Sequence, residues 1–208
     1  MNRTLQRVLD ITEFDRPLIV AVSGGKDSVS LLDMVMQFKK KFTILPEIVH
    51  FNHGLRPESK DEEEFIMSLG DEYGLEVKIF KFDIPFFKKE HKLSTEEAAR
   101  KLRYRTLKEY SSAKKTVGNI YTAHTAGDQA ETILFRIITG TGRTGLAGIR
   151  THMKLDSGWI VKRPLLDITT EEIENYALKN KIKYVTDSSN FDLSIPRNYI
   201  RKNIIPSL

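Results

Sequence analysis

Leu18-Ile19-Val20-Ala21-Val22-Ser23-Gly24-Gly25-Lys26-Asp27-Ser28 is a run of apolar, largely β-branched residues that ends abruptly in small and polar ones. The apolar part is continuous rather than alternating, as expected of a parallel strand covered on both faces. Ser23-Gly24-Gly25 lets the backbone turn sharply with no Cβ in the way. Beyond the glycines, Val29, Leu31, Leu32, Val35 and Met36 recur at helical spacing. Loop N–H groups and a helix N-terminus therefore converge on one point, which favours an anion, with phosphate the natural guest. The spacing is not G-x-x-x-x-G-K-[ST], which disfavours a Walker loop, and no G-x-G-x-x-G follows the strand.

The chain has 208 residues, 40% of them hydrophobic, enough for one sizeable α/β core, so residues 1–208 are expected to form a single domain. A formal net charge of +5 suits a nucleic-acid partner but also describes many ordinary enzymes. There is no cysteine, which excludes disulfides, Cys-containing zinc sites and thiolate or persulfide chemistry carried by the chain. The N-terminus lacks the apolar core of a signal peptide and no apolar run reaches the length of a membrane span, so the expectation is a soluble, cytoplasmic protein without a membrane partner. No pattern predicts the oligomeric state.

Other polar clusters fall at predicted strand ends. Ile44 to Phe51 is a second apolar run, ending in His50-Phe51-Asn52-His53-Gly54-Leu55-Arg56. Asn119 to His124 reads as another strand and leads into Thr125-Ala126-Gly127-Asp128-Gln129-Ala130-Glu131-Thr132. In an open parallel sheet both would face the same crevice as the glycine loop. Glu76 to Asp83 is a further strand, Pro85 to Lys92 a connector or short helix, and Met153 to Val161 a hairpin turning at Asp156-Ser157-Gly158. Ser94-Thr95-Glu96-Glu97 and Thr169-Thr170-Glu171-Glu172 are capping boxes opening helices. In the first of these helices Arg100, Arg103 and Tyr104 share a face, and two guanidinium forks there could hold phosphate or neutralise a leaving group. Arg197 and Arg201, four residues apart, are either a phosphate clamp or salt-bridged surface arginines.

Ser23 to Ser28, SGGKDS, resembles the SGGxDS loop of the PP-loop ATP pyrophosphatases. The segments H-F-N-H-G-L-R, E-E-A-A-R-K-L-R-Y, the glycine-dense stretch from Thr139 to Gly148, Asp187-Ser188-Ser189-Asn190 and R-N-Y-I-R are similar to one branch of that family, the tRNA(Ile)-lysidine synthetases. That branch usually reads H-H-x-D-D-Q-x-E-T where this chain has Thr125 and Gly127 in place of a histidine and an acid; His124, Asp128, Gln129, Glu131 and Thr132 match. The resemblance implies an α/β fold of adenine nucleotide α-hydrolase type, Rossmann-like, with a mostly parallel five-stranded sheet and helices on both faces. It implies ATP and Mg2+ as cofactors, and free L-lysine and isoleucine tRNA with a CAU anticodon as partners. The reaction would join lysine to carbon 2 of the wobble cytidine through an adenylated base.

Under the same resemblance, Ser23, Gly24, Gly25, Lys26, Asp27, Ser28, Asn52, His53, Arg56 and His124 would line the nucleotide site. Asp27 and Asp128 would hold magnesium, and Asp27, Asp128, Arg100 and Arg103 would be catalytic, with Asp128 accepting the proton of the attacking amine. Family members continue into C-terminal tRNA-docking domains beyond the segment matched here. The alternatives are a PP-loop tRNA thiolase working with a sulfur-carrying partner, and a non-catalytic nucleotide- or RNA-binding module.

Overall fold

A computed structural model describes residues 3–54, 59–186 and 196–207. Strands β1 (Leu18–Ala21), β2 (Glu47–Asn52), β3 (Val77–Lys81), β4 (Asn119–Tyr121), β5 (His152–Lys154) and β6 (Ile160–Lys162) form one six-stranded sheet in the order β3-β2-β1-β4-β6-β5. All neighbours are parallel except β5 and β6. The expected mostly parallel sheet is present with one more strand than the expected five, because both arms of the predicted hairpin join it. The second arm, β6, pairs with β4 in parallel, and the first, β5, closes the edge in antiparallel.

Helices α1 (Arg3–Ile11), α2 (Lys26–Met36), α3 (Ser59–Tyr73), α4 (Ile84–His91), α5 (Thr95–Ala113), α6 (Ala126–Thr139), α7 (Arg143–Leu146), α8 (Thr170–Lys179) and α9 (Pro196–Tyr199) surround the sheet. Leu18 and Val20 join the core cluster holding Val8, Ile66, Ile173 and the apolar side chains of α2, whereas Ile19 joins Leu107, Leu155 and Trp159 on the opposite face. Adjacent residues of β1 thus enter two separate cores, which is why the run from Leu18 could not alternate with polar residues. Nine of the eleven residues of α2 are buried, so its apolar surface extends well beyond one stripe. No described helix is long and apolar enough to cross a membrane.

The chain leaves β1 toward β2 and β3 on one side and leaves β4 toward β6 and β5 on the other. Strand order therefore reverses between β1 and β4, and a crevice opens outside their carboxyl ends.

One buried acid ties this layer together. Asp33 of α2, 8% exposed, accepts hydrogen bonds from the Tyr73 hydroxyl at Oδ1 (2.8 Å) and the Tyr176 hydroxyl at Oδ2 (2.5 Å), linking α2 to α3 and α8. Burial first, and then the carboxylate itself, push both phenols above their ordinary range. Tyr176→Phe removes one donor from a buried charge and is expected to cost about 1–3 kcal/mol of stability. Urea unfolding followed by the fluorescence of the single tryptophan, Trp159, measures this; an unchanged midpoint would show that Asp33 does not need the second phenol.

Candidate active site

The crevice is built around the start of α2. Val22 N–H pairs with the Val49 carbonyl (2.9 Å), the chain turns through Ser23 and Gly24, and Gly25 is the N-cap residue. Gly24 has φ +89°, a conformation a side chain would strain. Ser28 holds the turn closed: its Oγ accepts from Ser23 N–H (3.1 Å) and donates to the Gly25 carbonyl (2.9 Å). Val185 N–H donates to the Gly24 carbonyl (2.9 Å), laying the segment after α8 against the loop. Helices α5, α6 and α8 each begin with a full capping box, whereas the cap of α2 makes no side-chain hydrogen bond. The first-turn amides of α2 are therefore open to an anion.

Asp27 sits in that first turn. Its Oδ1 is buried with no hydrogen-bond partner among the described residues. Burial, reinforced by the Asp128 carboxylate, raises its pKa above the usual range, against the opposing pull of Lys26 and Arg201. Lys26 itself points to Glu174 on α8 (3.4 Å).

Asp128 is committed on one side. Its Oδ2 accepts from Thr125 N–H (2.8 Å) and Thr125 Oγ1 (3.1 Å), completing the capping box of α6, and its Oδ1 lies 3.8 Å from an Arg201 nitrogen. The threonine that replaces the family histidine is thus the N-cap residue, and Asp128 is its reciprocal partner.

The matching residues that follow are structural supports for the crevice. Glu131, 2% exposed, is bridged by Arg201 through Nε (2.5 Å) and Nη2 (3.0 Å). Gln129 grips the Ile149 backbone at both N–H (2.6 Å) and carbonyl (3.3 Å), while Arg136 donates to the Gly145 (2.6 Å) and Gly148 (3.1 Å) carbonyls. The glycine-dense segment is therefore strapped onto α6. Gly148, at φ +65°, lies where a Cβ would come 2.5 Å from the Gln129 amide. Arg197 and Arg201 do not converge, since Arg197 pairs with Glu96 (3.6 Å) and Arg201 with Glu131.

His124 feels both Asp128 and a group of arginines. The His124 Nδ1 shares a hydrogen bond with Thr122 Oγ1 (3.0 Å). Burial pushes its pKa down to about 4, with Arg163, Arg103 and Arg100 adding to the effect and Asp128 opposing it. Arg103 has no acid partner among the described residues, and Arg100 lies over the Tyr104 ring (5.2 Å). Arg163, 6% exposed, donates to the Arg150 carbonyl and the Tyr104 hydroxyl, each at 2.7 Å. Sequence reading passed over Arg163 as part of a connector; an arginine set between Val161 and Pro164-Leu165-Leu166 was the available signal.

At the β2 end the polar side chains also serve the local turn. Asn52 uses Nδ2 on Glu63 (2.5 Å) and Oδ1 on Gly54 N–H (2.8 Å), so its side chain shapes the turn. His53 packs near the Phe82 ring (5.9 Å). Buried His50 donates from Nδ1 to the Val22 carbonyl (2.8 Å), bracing the residue before Ser23. Arg56 and Asp187 to Asn190 lie outside the described residues.

Among the described residues no three His, Asp or Glu side chains form a preassembled metal cluster. A magnesium ion nonetheless fits: Asp27 offers a buried oxygen without a partner, Asp128 is close enough to raise its pKa, and both are hard oxygen donors. Such an ion would take its remaining ligands from phosphate and water.

A phosphate cradle at the switch point of a parallel sheet, with two carboxylates beside it and cations opposite, defines a nucleotide-handling α/β domain. A profile described as the PP-loop domain matches residues 1–208, and the chain belongs to that family. It is 46% identical over 197 residues to a tRNA(Ile)-lysidine synthase of Thermosipho africanus, covering 94% of this chain and 44% of the relative. Proteins of the same name from Pseudothermotoga lettingae (37% identity, 92% and 41% covered) and Thermotoga maritima (36%, 91% and 44%) are also similar. The chain spans somewhat less than half the length of these relatives. Among solved structures it resembles in fold the U34-tRNA thiolase NcsA from Methanococcus maripaludis with its [4Fe-4S] cluster (TM-score 0.79, 19% identity, 99% and 72% covered).

Two consequences are measurable. Because Asp27 is raised in the folded state, its contribution to stability is present below the unfolded carboxylate range and is lost as pH rises through the folded value. Asp27→Asn is therefore expected to raise Tm by a few degrees at pH 7 without ligand, a gain that vanishes in acid; a lowered Tm at pH 7 contradicts the burial argument. His124 is depressed, so its contribution is present above about 6.5, the ordinary value, and is lost as pH falls through about 4. Its imidazole NMR signals should stay flat from neutrality down to well below the ordinary histidine range, and a midpoint near 6.5 would show a solvated ring.

Proposed function

We propose that this chain is the ATP-activating part of a lysidine-forming ligase acting on isoleucine tRNA with a CAU anticodon. The observation that carries the proposal is the uncapped start of α2 beside the unpartnered oxygen of Asp27, in a chain similar over more than nine-tenths of its length to proteins named tRNA(Ile)-lysidine synthase. The absence of cysteine from this sequence weighs against thiolase chemistry carried by the chain.

In the proposed first step the carbon-2 oxygen of the wobble cytidine attacks the α-phosphorus of ATP, and the bond to the β-phosphate oxygen breaks. Magnesium, when bound, supplies charge neutralisation for the phosphates. The α2 amides and the Ser23 to Ser28 loop hold the departing pyrophosphate where its charge develops. Arg100 and Arg103 face the same charge from α5, and the neutral His124 is able to accept or donate a hydrogen bond without adding charge.

In the second step the ε-amine of lysine attacks carbon 2 and AMP leaves with the former base oxygen. The amine must arrive neutral, so a carboxylate has to attract its ammonium and take a proton. Oδ1 of Asp128, the oxygen outside the capping box and 3.8 Å from an Arg201 nitrogen, is assigned this role, with Arg201 otherwise bound to Glu131. Asp27 is assigned to magnesium. The proposed reaction fits a cytoplasmic setting, where tRNA, ATP and free lysine coexist.

Transfer of labelled lysine onto two isoleucine tRNA transcripts differing only at the wobble base tests this. Incorporation with the cytidine form alone is the expected result; no incorporation, and no ATP cleavage to AMP with that tRNA, would overturn it. Asp27→Asn is expected to lower adenylation at least about 100-fold, a loss on the scale of one electrostatic catalytic group. Asp128→Asn should lower lysine transfer more than adenylation, and equal effects in both variants would remove the division of roles.

A further inference from the structure

The net charge of this chain is concentrated. Residues 84–105 carry seven Lys and Arg against three Glu, so this one segment accounts for +4 of the formal +5. Glu97 closes the capping box on Ser94 and Glu96 faces Arg197 (3.6 Å), Glu90 lies 3.6 Å from the His91 ring, and Arg105 is paired with Glu109 just outside the segment (2.9 Å). Lys89 and Lys92 are exposed and have no acid partner among the described residues.

The same corner displays an aromatic ring. Helix α4 buries Ile84 completely but leaves Phe86 66% exposed, and Phe86 and Lys89, three residues apart, share the outward face. Lys92, the left-handed cap of α4, follows directly. An isolated exposed phenylalanine among lysines is too small an apolar surface to hold a folded protein partner.

The corner also adjoins the crevice. Phe82 N–H donates to the Asn52 carbonyl (2.8 Å), so the chain enters α4 from beside the β2 end, and α5 then carries Arg100 and Arg103 toward His124. The segment that bears Lys89 and Lys92 thus leads from the β2 end into the helix whose arginines act on His124.

We propose that the α4–α5 corner docks a single-stranded RNA loop, with an unpaired base stacked on Phe86 and the flanking phosphates on Lys89 and Lys92. This rests on the tRNA reading above and adds a surface to it. The occupant follows from complementarity: a polyanion that also offers flat π faces matches a positive strip bearing one ring.

The test is fluorescence anisotropy of a labelled RNA hairpin with a CAU-containing loop, titrated with the full chain at several salt concentrations. Phe86→Ala should weaken binding about 5- to 100-fold, the range of one lost base stack, and Phe86→Tyr should restore it to within about twofold. Lys89→Gln with Lys92→Gln should reduce the slope of log K against log salt by about 1.4, two single-strand phosphate contacts. ATP binding should be unchanged in all of them. Variants that bind the hairpin like the unaltered chain overturn the proposal, as does an unaltered chain that does not bind it. So does loss of binding confined to vesicles containing anionic phospholipid. RNA binding through this corner with neither lysine transfer nor ATP cleavage to AMP defeats the ligase reading alone, whereas lysine transfer with all variants unaffected defeats the corner alone.

Discussion

An unmet electrostatic demand at the start of α2 governs the crevice. The helix brings several amides to one point without a side-chain acceptor, and one turn inside it a carboxylate oxygen is buried without a donor. Positive and negative demands so close together cannot satisfy each other, because the amides point out of the helix and the Asp27 oxygen is enclosed. A phosphate accompanied by a divalent cation answers both at once. The neighbouring elements preserve this imbalance: Ser28 and His50 brace the loop through its own backbone, and neither covers the open amides.

The crevice is polarised along the sheet's upper edge. The Asp128 carboxylate from α6 and arginines from α5 and the segment after β6 all act on His124, while Asp27 of α2 feels Asp128 together with Lys26 and Arg201. Buried Glu131 would be costly alone and is compensated by a bidentate guanidinium, a geometry that also fixes where Arg201 can reach. Arg163 is the converse case, a buried cation held by a carbonyl and a hydroxyl, so its charge is left to act on the space around His124.

Local patterns in the chain were legible and long-range partners were not. The continuous run from Leu18, the helical spacing after Gly25 and the boxes at Ser94 and Thr169 all depend on neighbours within a few positions, and each corresponds to an observed element. In the third box Thr125 reads as a departure from the family motif and Asp128 as a match to it, so their reciprocal capping was not legible. The sixth strand depends on where a hairpin docks, which local pattern does not encode. Arg163 and Tyr104 are 59 positions apart and Arg201 and Glu131 are 70 apart, so neither pairing leaves a trace in spacing. Asn52 was legible as a polar residue at a strand end, but its commitment to Glu63 and its own turn required the position of α3.

The hydrogen bond from Val185 to the Gly24 carbonyl has a mechanical meaning. Gly24 is the residue whose left-handed backbone sets the shape of the phosphate turn, and it is also the anchor for the strand of chain leaving α8. The carbonyl that closes this hydrogen bond belongs to the same residue whose φ of +89° shapes the turn. The phosphate turn and the exit from α8 therefore share one backbone hydrogen bond, so a change of the Gly24 peptide plane removes the acceptor that Val185 uses.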